Sequence, residues 1–240
     1  NSRNPRFDHP AIYPEQYMLT HRGSVEFVNN LIYNWGGKAI YGGEEGWWNV
    51  VENVWKAGPA TNKPDDNFIE IFVSPTTSMI PGRYYIADNA SHDRPGDFTL
   101  YDNWVCVEFK GDATRESTDN KKPFSVRGEV KKDNNPQNAE SYVLMYGGAS
   151  KVRDAVDKRI VDEVNGTTYT YTGSHGGFKG IIDSQQDVGG WPELGSLPAP
   201  EDSDGDGMPD EWERRNGLDP ADPADGNYYS LNEQFTNLEV

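Results

Sequence analysis

The chain has 240 residues, with 22 basic and 39 acidic side chains and a formal net charge of −17. Phosphate polyanions would meet net repulsion, so nucleic acid is excluded as a partner, and no apolar run approaches the length of a membrane span. One cysteine rules out an internal disulfide, while 7 Trp, 13 Tyr and 9 Phe supply enough area for one sizeable core and a small appendage.

Arg3-Asn4-Pro5-Arg6 opens the chain, two arginines on a segment stiffened by proline, a pairing suited to carboxylates. A weak repeat follows. Val28-Asn29-Asn30-Leu31-Ile32 matches Val51-Glu52-Asn53-Val54-Trp55 at an offset of 23, and Ala87-Asp88-Asn89-Ala90 comes 36 residues later. Short β-prone runs ending in Asn at this period suggest coils of a parallel β-helix. Asn tolerates the left-handed backbone of a sharp corner, and Asn30, Asn53 and Asn89 would stack as a hydrogen-bonded ladder inside the coils.

Further strands are expected at Phe68–Val73, Tyr84–Ala87 and Trp104–Phe109. Cys106 lies in the last of these and reads as a half-buried structural thiol rather than a nucleophile. Lys110 to Asn138 is polar and reads as an irregular excursion. Ser150 is expected to cap a packing helix over 150–164, with Val152, Ala155, Val156, Ile160, Val161 and Val164 as its apolar stripe, Asp154 and Lys158 paired, and Asn165-Gly166 as its stop. Thr167 to Pro200 reads as an extended connector.

Acidity concentrates at the C-terminus, where the last forty residues hold 12 acidic and 2 basic side chains. The run from Asp202 to Glu213 fits D-x-D-x-D-G-x5-E without a gap. Calcium takes six to eight oxygens, and this spacing delivers them around one ion. Asp202, Asp204 and Asp206 supply carboxylates, Gly207 the turn, Met208 its backbone carbonyl, Asp210 a direct or water-mediated ligand, and Glu213 a bidentate closure. Asp219, Asp222 and Asp225 could add ligands or form a second site. The segment ending in Gln234-Phe235-Thr236-Asn237-Leu238-Glu239 is like the tail of a second loop, but Tyr229 and Leu231 occupy its ligand positions. The domain reading is 1–200 for the coils and packing helix, and 201–240 for an EF-hand-like tail similar to dockerin and thrombospondin type 3 calcium modules, in which the ion is structural.

Four stretches together resemble the pectate lyases of polysaccharide lyase family 1 in their bacterial secreted form. They are Ser2-Arg3-Asn4-Pro5-Arg6; Val25 to Trp35 followed by Lys56-Ala57-Gly58-Pro59; Gly148-Ala149-Ser150 with Arg153 to Val161; and Val188-Gly189-Gly190-Trp191-Pro192 leading into the calcium loop. The resemblance implies an all-β, right-handed parallel β-helix that cleaves polygalacturonate, the pectin backbone, by calcium-dependent β-elimination. It implies Arg3 as the base that takes the C5 proton, because Arg3 heads the R-x-P motif. The family's second basic residue, three positions after the proline, is Asp8 here, so Arg6 is the substitute substrate contact. Arg22 and Lys56 are further candidate contacts, chosen as cations near the coils. An arginine acts as a base only where nearby positive charge, from calcium or Arg6, disfavours its proton. The family's catalytic calcium is held on coils before the R-x-P motif, so its ligands are expected in an upstream part of the same polypeptide. The expected location is secreted, periplasmic or cell-surface. The alternative readings are a non-catalytic, calcium-stabilised carbohydrate-binding or adhesion module, and a glycosidase on the same fold, which would need paired carboxylates such as Asp88 and Asp102.

Overall fold

The computed structural model describes residues 3–7, 24–62, 68–76, 80–93, 102–126 and 135–240, and it falls into two compact units, Asn1–Pro192 and Glu193–Val240. Ten strands of the first unit run in chain order as β1 (Arg6–Phe7), β2 (Ser24–Val28), β3 (Leu31–Tyr33), β4 (Ile40–Gly42), β5 (Trp47–Val51), β6 (Val54–Lys56), β7 (Ile69–Val73), β8 (Arg83–Ala87), β9 (Ala90–Ser91) and β10 (Val107–Gly111). They form three sheets, β1-β4-β7-β10, β2-β5-β8 and β3-β6-β9, and every pairing is parallel. Each sheet takes one strand from every successive coil. The chain is a parallel β-helix.

The repeat in the sequence is the register of the sheets. Val28 pairs with Val51 and then Ala87, and Leu31 pairs with Val54, which pairs with Ala90. Alternation puts apolar side chains inside: Ile69, Ile71 and Val73 of β7 are buried, while Glu70 and Phe72 are not. Aromatic rings fill the bore, with Phe7 stacked on Trp48 at 4.3 Å between centroids and 3° between planes. The outer face of β1-β4-β7-β10 carries Arg6, Tyr41, Glu70 and Glu108, with the exposed Phe72 among them.

The asparagine ladder is present and longer than the sequence suggested. Asn53 Oδ1 accepts from Asn30 Nδ2 at 2.8 Å, and Asn89 Oδ1 accepts from Asn53 Nδ2 at 2.9 Å. Asn89 Nδ2 then donates to Asn103 Oδ1 at 2.8 Å, so a fourth asparagine, from a 3-10 turn, ends the row. Backbone N–H groups of Asn30, Asn53 and Asn89 donate to the same oxygens. The left-handed corner sits one residue earlier than expected, at Asn29, Glu52 and Asp88, with φ of 58°, 55° and 55°. The ladder asparagine is therefore kept for its side chain, not for its backbone freedom.

Other expectations are corrected. The strand expected from Trp104 begins only at Val107, because Asn103–Cys106 is a 3-10 turn capped by Asp102. Cys106 is fully buried, with its thiol on the Asn103 carbonyl. Within 110–138 the chain forms the short helix Arg115–Thr118, and a longer helix, Pro136–Tyr146, starts at the Asn135 cap and packs on β3 and β6. The next helix is Ala155–Gly166, not 150–164. Asp154 is its N-cap, accepting from Val156 and Asp157 N–H at 2.8 and 2.9 Å, so it is not a partner for Lys158. Val152 lies outside the helix and is 85% exposed. The expected stop holds, as Thr167 takes a left-handed φ of 51° after Gly166.

Candidate functional site

The first candidate region lies on the outer face of β1-β4-β7-β10. The Asn4 N–H donates to the Ala39 carbonyl at 2.8 Å, which fixes the entering chain against the next coil. Arg3, with φ 74°, projects into solvent and its Nε donates to the Tyr41 hydroxyl at 2.8 Å. Parallel register sets Arg6 beside Tyr41, Tyr41 beside Glu70, and Glu70 beside Glu108. The Arg6 guanidinium carbon is 5.9 Å from the Tyr41 ring centroid and the Lys38 ammonium 5.8 Å, both within cation–π range. Lys38 is also ion-paired with Glu70. This face thus carries three cations around one tyrosine at the β1 end and carboxylates towards β10.

Sequence reasoning chose Arg3 and Arg6, and the structure brings them to one ring. It missed Lys38, which precedes β4, and Tyr41, which lies within it; no motif marks either. Lys56 is elsewhere: it is 8% exposed on β6, with its ammonium 3.7 Å from Glu140 of the Pro136–Tyr146 helix. Arg22 and Asp8 lie outside the described residues. Asp102 caps the 3-10 turn and is ion-paired with Arg115, which commits it to a structural task.

The second region is the acidic loop of Glu193–Val240. Gly205 and Gly207 turn in the left-handed region, at φ 76° and 98°, and fold the loop back on itself. Asp202 accepts from Gly205 and Gly207 N–H, Asp204 from Asp206 N–H, and Asp206 from Met208 N–H. These bonds leave other oxygens bare. Asp204 Oδ2, Asp206 Oδ2, Asp225 Oδ1 and both oxygens of Glu213 are buried without a hydrogen-bond partner. Glu213 is fully enclosed. Ligand atoms of Asp206, Glu213 and Asp225 lie within 4.8 Å of one another, as do those of Asp202, Asp204 and Asp206. Burial and the charges of Asp204, Asp206, Asp225 and Asp210 push the Glu213 carboxyl up to about 6. Buried carboxylate oxygens without donors are costly unless a cation meets them, so the donor set fits a hard, oxygen-preferring ion.

Asp210, expected as a direct or water-mediated ligand, is held by hydrogen bonds within the tail. Both its oxygens accept from Ser203, and Arg214 Nη2 adds an ion pair at 2.9 Å. Asp225 faces the cluster with a bare oxygen. The Met208 side chain is buried beside Trp212 and Leu238 in an apolar notch. Among the described residues, both clusters of three or more potential cation ligands are in this tail, and neither includes a residue of the Arg3 face.

Over 215 residues the chain is 33% identical to a probable pectate lyase C of Aspergillus flavus, covering 85% of this chain and 45% of that protein. It is 30% identical to probable pectate lyases C of Emericella nidulans, over 219 residues, and of Aspergillus fumigatus, over 227 residues. The chain is a distant homologue of these proteins. It spans just under half the length of the curated relatives it matches, 43% to 48%. No family profile matches the chain.

Proposed function

We propose that the chain is the part of a pectate lyase that carries the proton-abstracting arginine, and that the complete protein cleaves polygalacturonate by calcium-dependent β-elimination. The observation that carries this reading is the Arg3–Tyr41 hydrogen bond on an outward, cationic strand face of a β-helix. Homology to proteins named probable pectate lyase C supports the substrate class. In the reaction, a guanidine nitrogen of Arg3 takes the C5 proton of a galacturonate. The C5–H electron pair becomes the C4=C5 double bond, the C4–O bond breaks, and the glycosidic oxygen leaves with its pair and gains a proton from water. Positive charge at the uronate carboxylate makes the C5 proton more acidic. Arg6 and Lys38 are placed to supply part of that charge, and a calcium ion held by residues outside this face would supply the rest.

The tail is a calcium-bound clasp in this reading. Asp204, Asp206, Glu213 and Asp225 hold the ion, with Asp202 and the Met208 carbonyl completing the shell. The ion is structural, and an extracellular or cell-surface location, where both calcium and pectin are met, suits it.

The test is incubation of the complete protein with polygalacturonate and calcium, following the ultraviolet absorbance of the unsaturated product. Activity is expected, and Arg3→Ala should lower it by at least ~100-fold, the size of a general-base contribution. Reducing ends without unsaturated product would mark a glycosidase. Retention of the polymer without cleavage would mark a binding module. Either result overturns the lyase reading.

A further inference from the structure

We propose that Tyr41 is a positioning residue for the lyase reaction: its hydroxyl aims the Arg3 guanidinium, and its ring holds the two cations that receive the uronate carboxylate. This rests on Arg3 being the base. Arg3 is exposed, and its side chain carries about 2 kcal/mol of rotamer entropy. Among the described residues, one contact restricts it. Arg3 Nε donates to Tyr41 Oη at 2.8 Å, and that engages the inner N–H of the planar fork. Among the described residues no contact takes the two terminal nitrogens, which are then available to a substrate lying along the sheet. Tyr41 can serve as a fixed point because it sits in β4, hydrogen-bonded in parallel between β1 and β7.

The ring has a separate task. Arg6 and Lys38 both lie within 5.9 Å of its centroid. Lys38 is also held by Glu70 of the following coil. One side chain thus organises a proton acceptor through its oxygen and a carboxylate-binding pair through its π face. The two tasks can be separated by substitution, because Tyr41→Phe removes the oxygen and keeps the ring, whereas Tyr41→Leu removes both.

The experiment measures kcat and KM of the complete protein on polygalacturonate for Tyr41→Phe, Tyr41→Leu, Arg3→Ala and the double variant Arg3→Ala/Tyr41→Phe, with thermal melting as a check on folding. Tyr41→Phe should lower kcat by about 10-fold with KM unchanged, because a misaimed base costs rate and not affinity. Tyr41→Leu should lower kcat equally and also raise KM. The double variant should be no slower than Arg3→Ala, since an aiming contact has no value without the group it aims. Full kcat in Tyr41→Phe, with Arg3→Ala inactive, overturns the role of Tyr41 and leaves the base intact. A further loss in the double variant overturns it too, by showing that Tyr41 acts on its own. Full activity in Arg3→Ala overturns the base assignment itself, and with it the aiming role. A kcat loss accompanied by a lowered melting temperature in both Tyr41 variants reduces Tyr41 to a fold residue.

Discussion

The Asp210 carboxylate accepts the backbone N–H of Ser203 at 2.7 Å and its hydroxyl at 2.8 Å, and seven residues likewise separate Ser230 from Asn237, whose amide oxygen takes the same two bonds at 3.1 Å. The clasp is thus made twice in the tail, once with a charged and once with a neutral acceptor. Its work is loop closure and does not need the charge.

Asp210→Asn is therefore expected to keep calcium affinity within about 3-fold, because the clasp survives and a ligand is not lost, whereas Asp225→Asn and Glu213→Gln should each weaken it by at least ~10-fold through lost ligand charge. Isothermal titration with calcium checks all three. Equal losses for Asp210→Asn and Asp225→Asn would return Asp210 to the coordination shell.

Gly226 lies against the cluster, and a Cβ there would meet Asp206 Oδ2 at 2.7 Å. Gly226→Ala should displace a carboxylate oxygen of the cluster and, on the proposed reading of a structural ion, lower calcium affinity by about 10-fold while leaving turnover untouched. Chelation of the wild-type protein should act in the same direction. Residues 193–240 should become sensitive to limited proteolysis, because buried carboxylates are left facing one another, while the β-helical unit resists. Mass spectrometry of the fragments reads this directly.

Asn53 is fully buried, donates to the Phe27 carbonyl at 2.8 Å and to Asn89, and accepts from Asn30. Asn53→Ala strands several polar groups at once and should cost about 2–4 kcal/mol, read from denaturant unfolding. Asn53→Asp should be as damaging, because it removes the donor and sets a charge against two carbonyl oxygens. Asn30, only partly buried, should tolerate alanine better.

Lys56 is buried against Glu140, which also meets His92 at 2.7 Å. Lys56→Met should change KM for polygalacturonate by less than ~2-fold while lowering the melting temperature, as expected when one partner of a buried ion pair is removed. A large rise in KM with unchanged melting would make Lys56 a substrate contact after all.

The fold was legible because stacking writes itself into the sequence. Val28, Val51 and Ala87 share a register position, and the asparagine two residues later recurs with them. What could not be read was the division of labour around that corner. Asn, Glu and Asp all tolerate the left-handed turn at positions 29, 52 and 88, so that position looked variable, while the backbone task was assigned to the asparagine beside it. The Pro136–Tyr146 helix was hidden for a similar reason. Its start, Asn135-Pro136, is a good cap and first helical residue, but it closes a long polar stretch and read as part of that stretch. In the tail, the motif placed Asp210 by spacing alone. The Ser203 N–H and hydroxyl both bond its carboxylate, while Asp225, from beyond the helix, sets a bare oxygen beside Asp206 and Glu213. On the strand face Arg3 and Arg6 stood out through their motif, but Tyr41 and Lys38 reach them only through pairing of β1 with β4, which no local pattern encodes.

The ladder spacings carry a consequence for how such a chain can change. Asn30 and Asn53 are 23 residues apart and Asn53 and Asn89 are 36, yet the hydrogen bonds between them are nearly the same length, 2.8 and 2.9 Å. The corner is held constant while the rest of the turn absorbs the difference. Segments of foreign length could be spliced into the opposite corners of the coil, and new walls raised beside the outer strand face, with the spine of the solenoid left as it is.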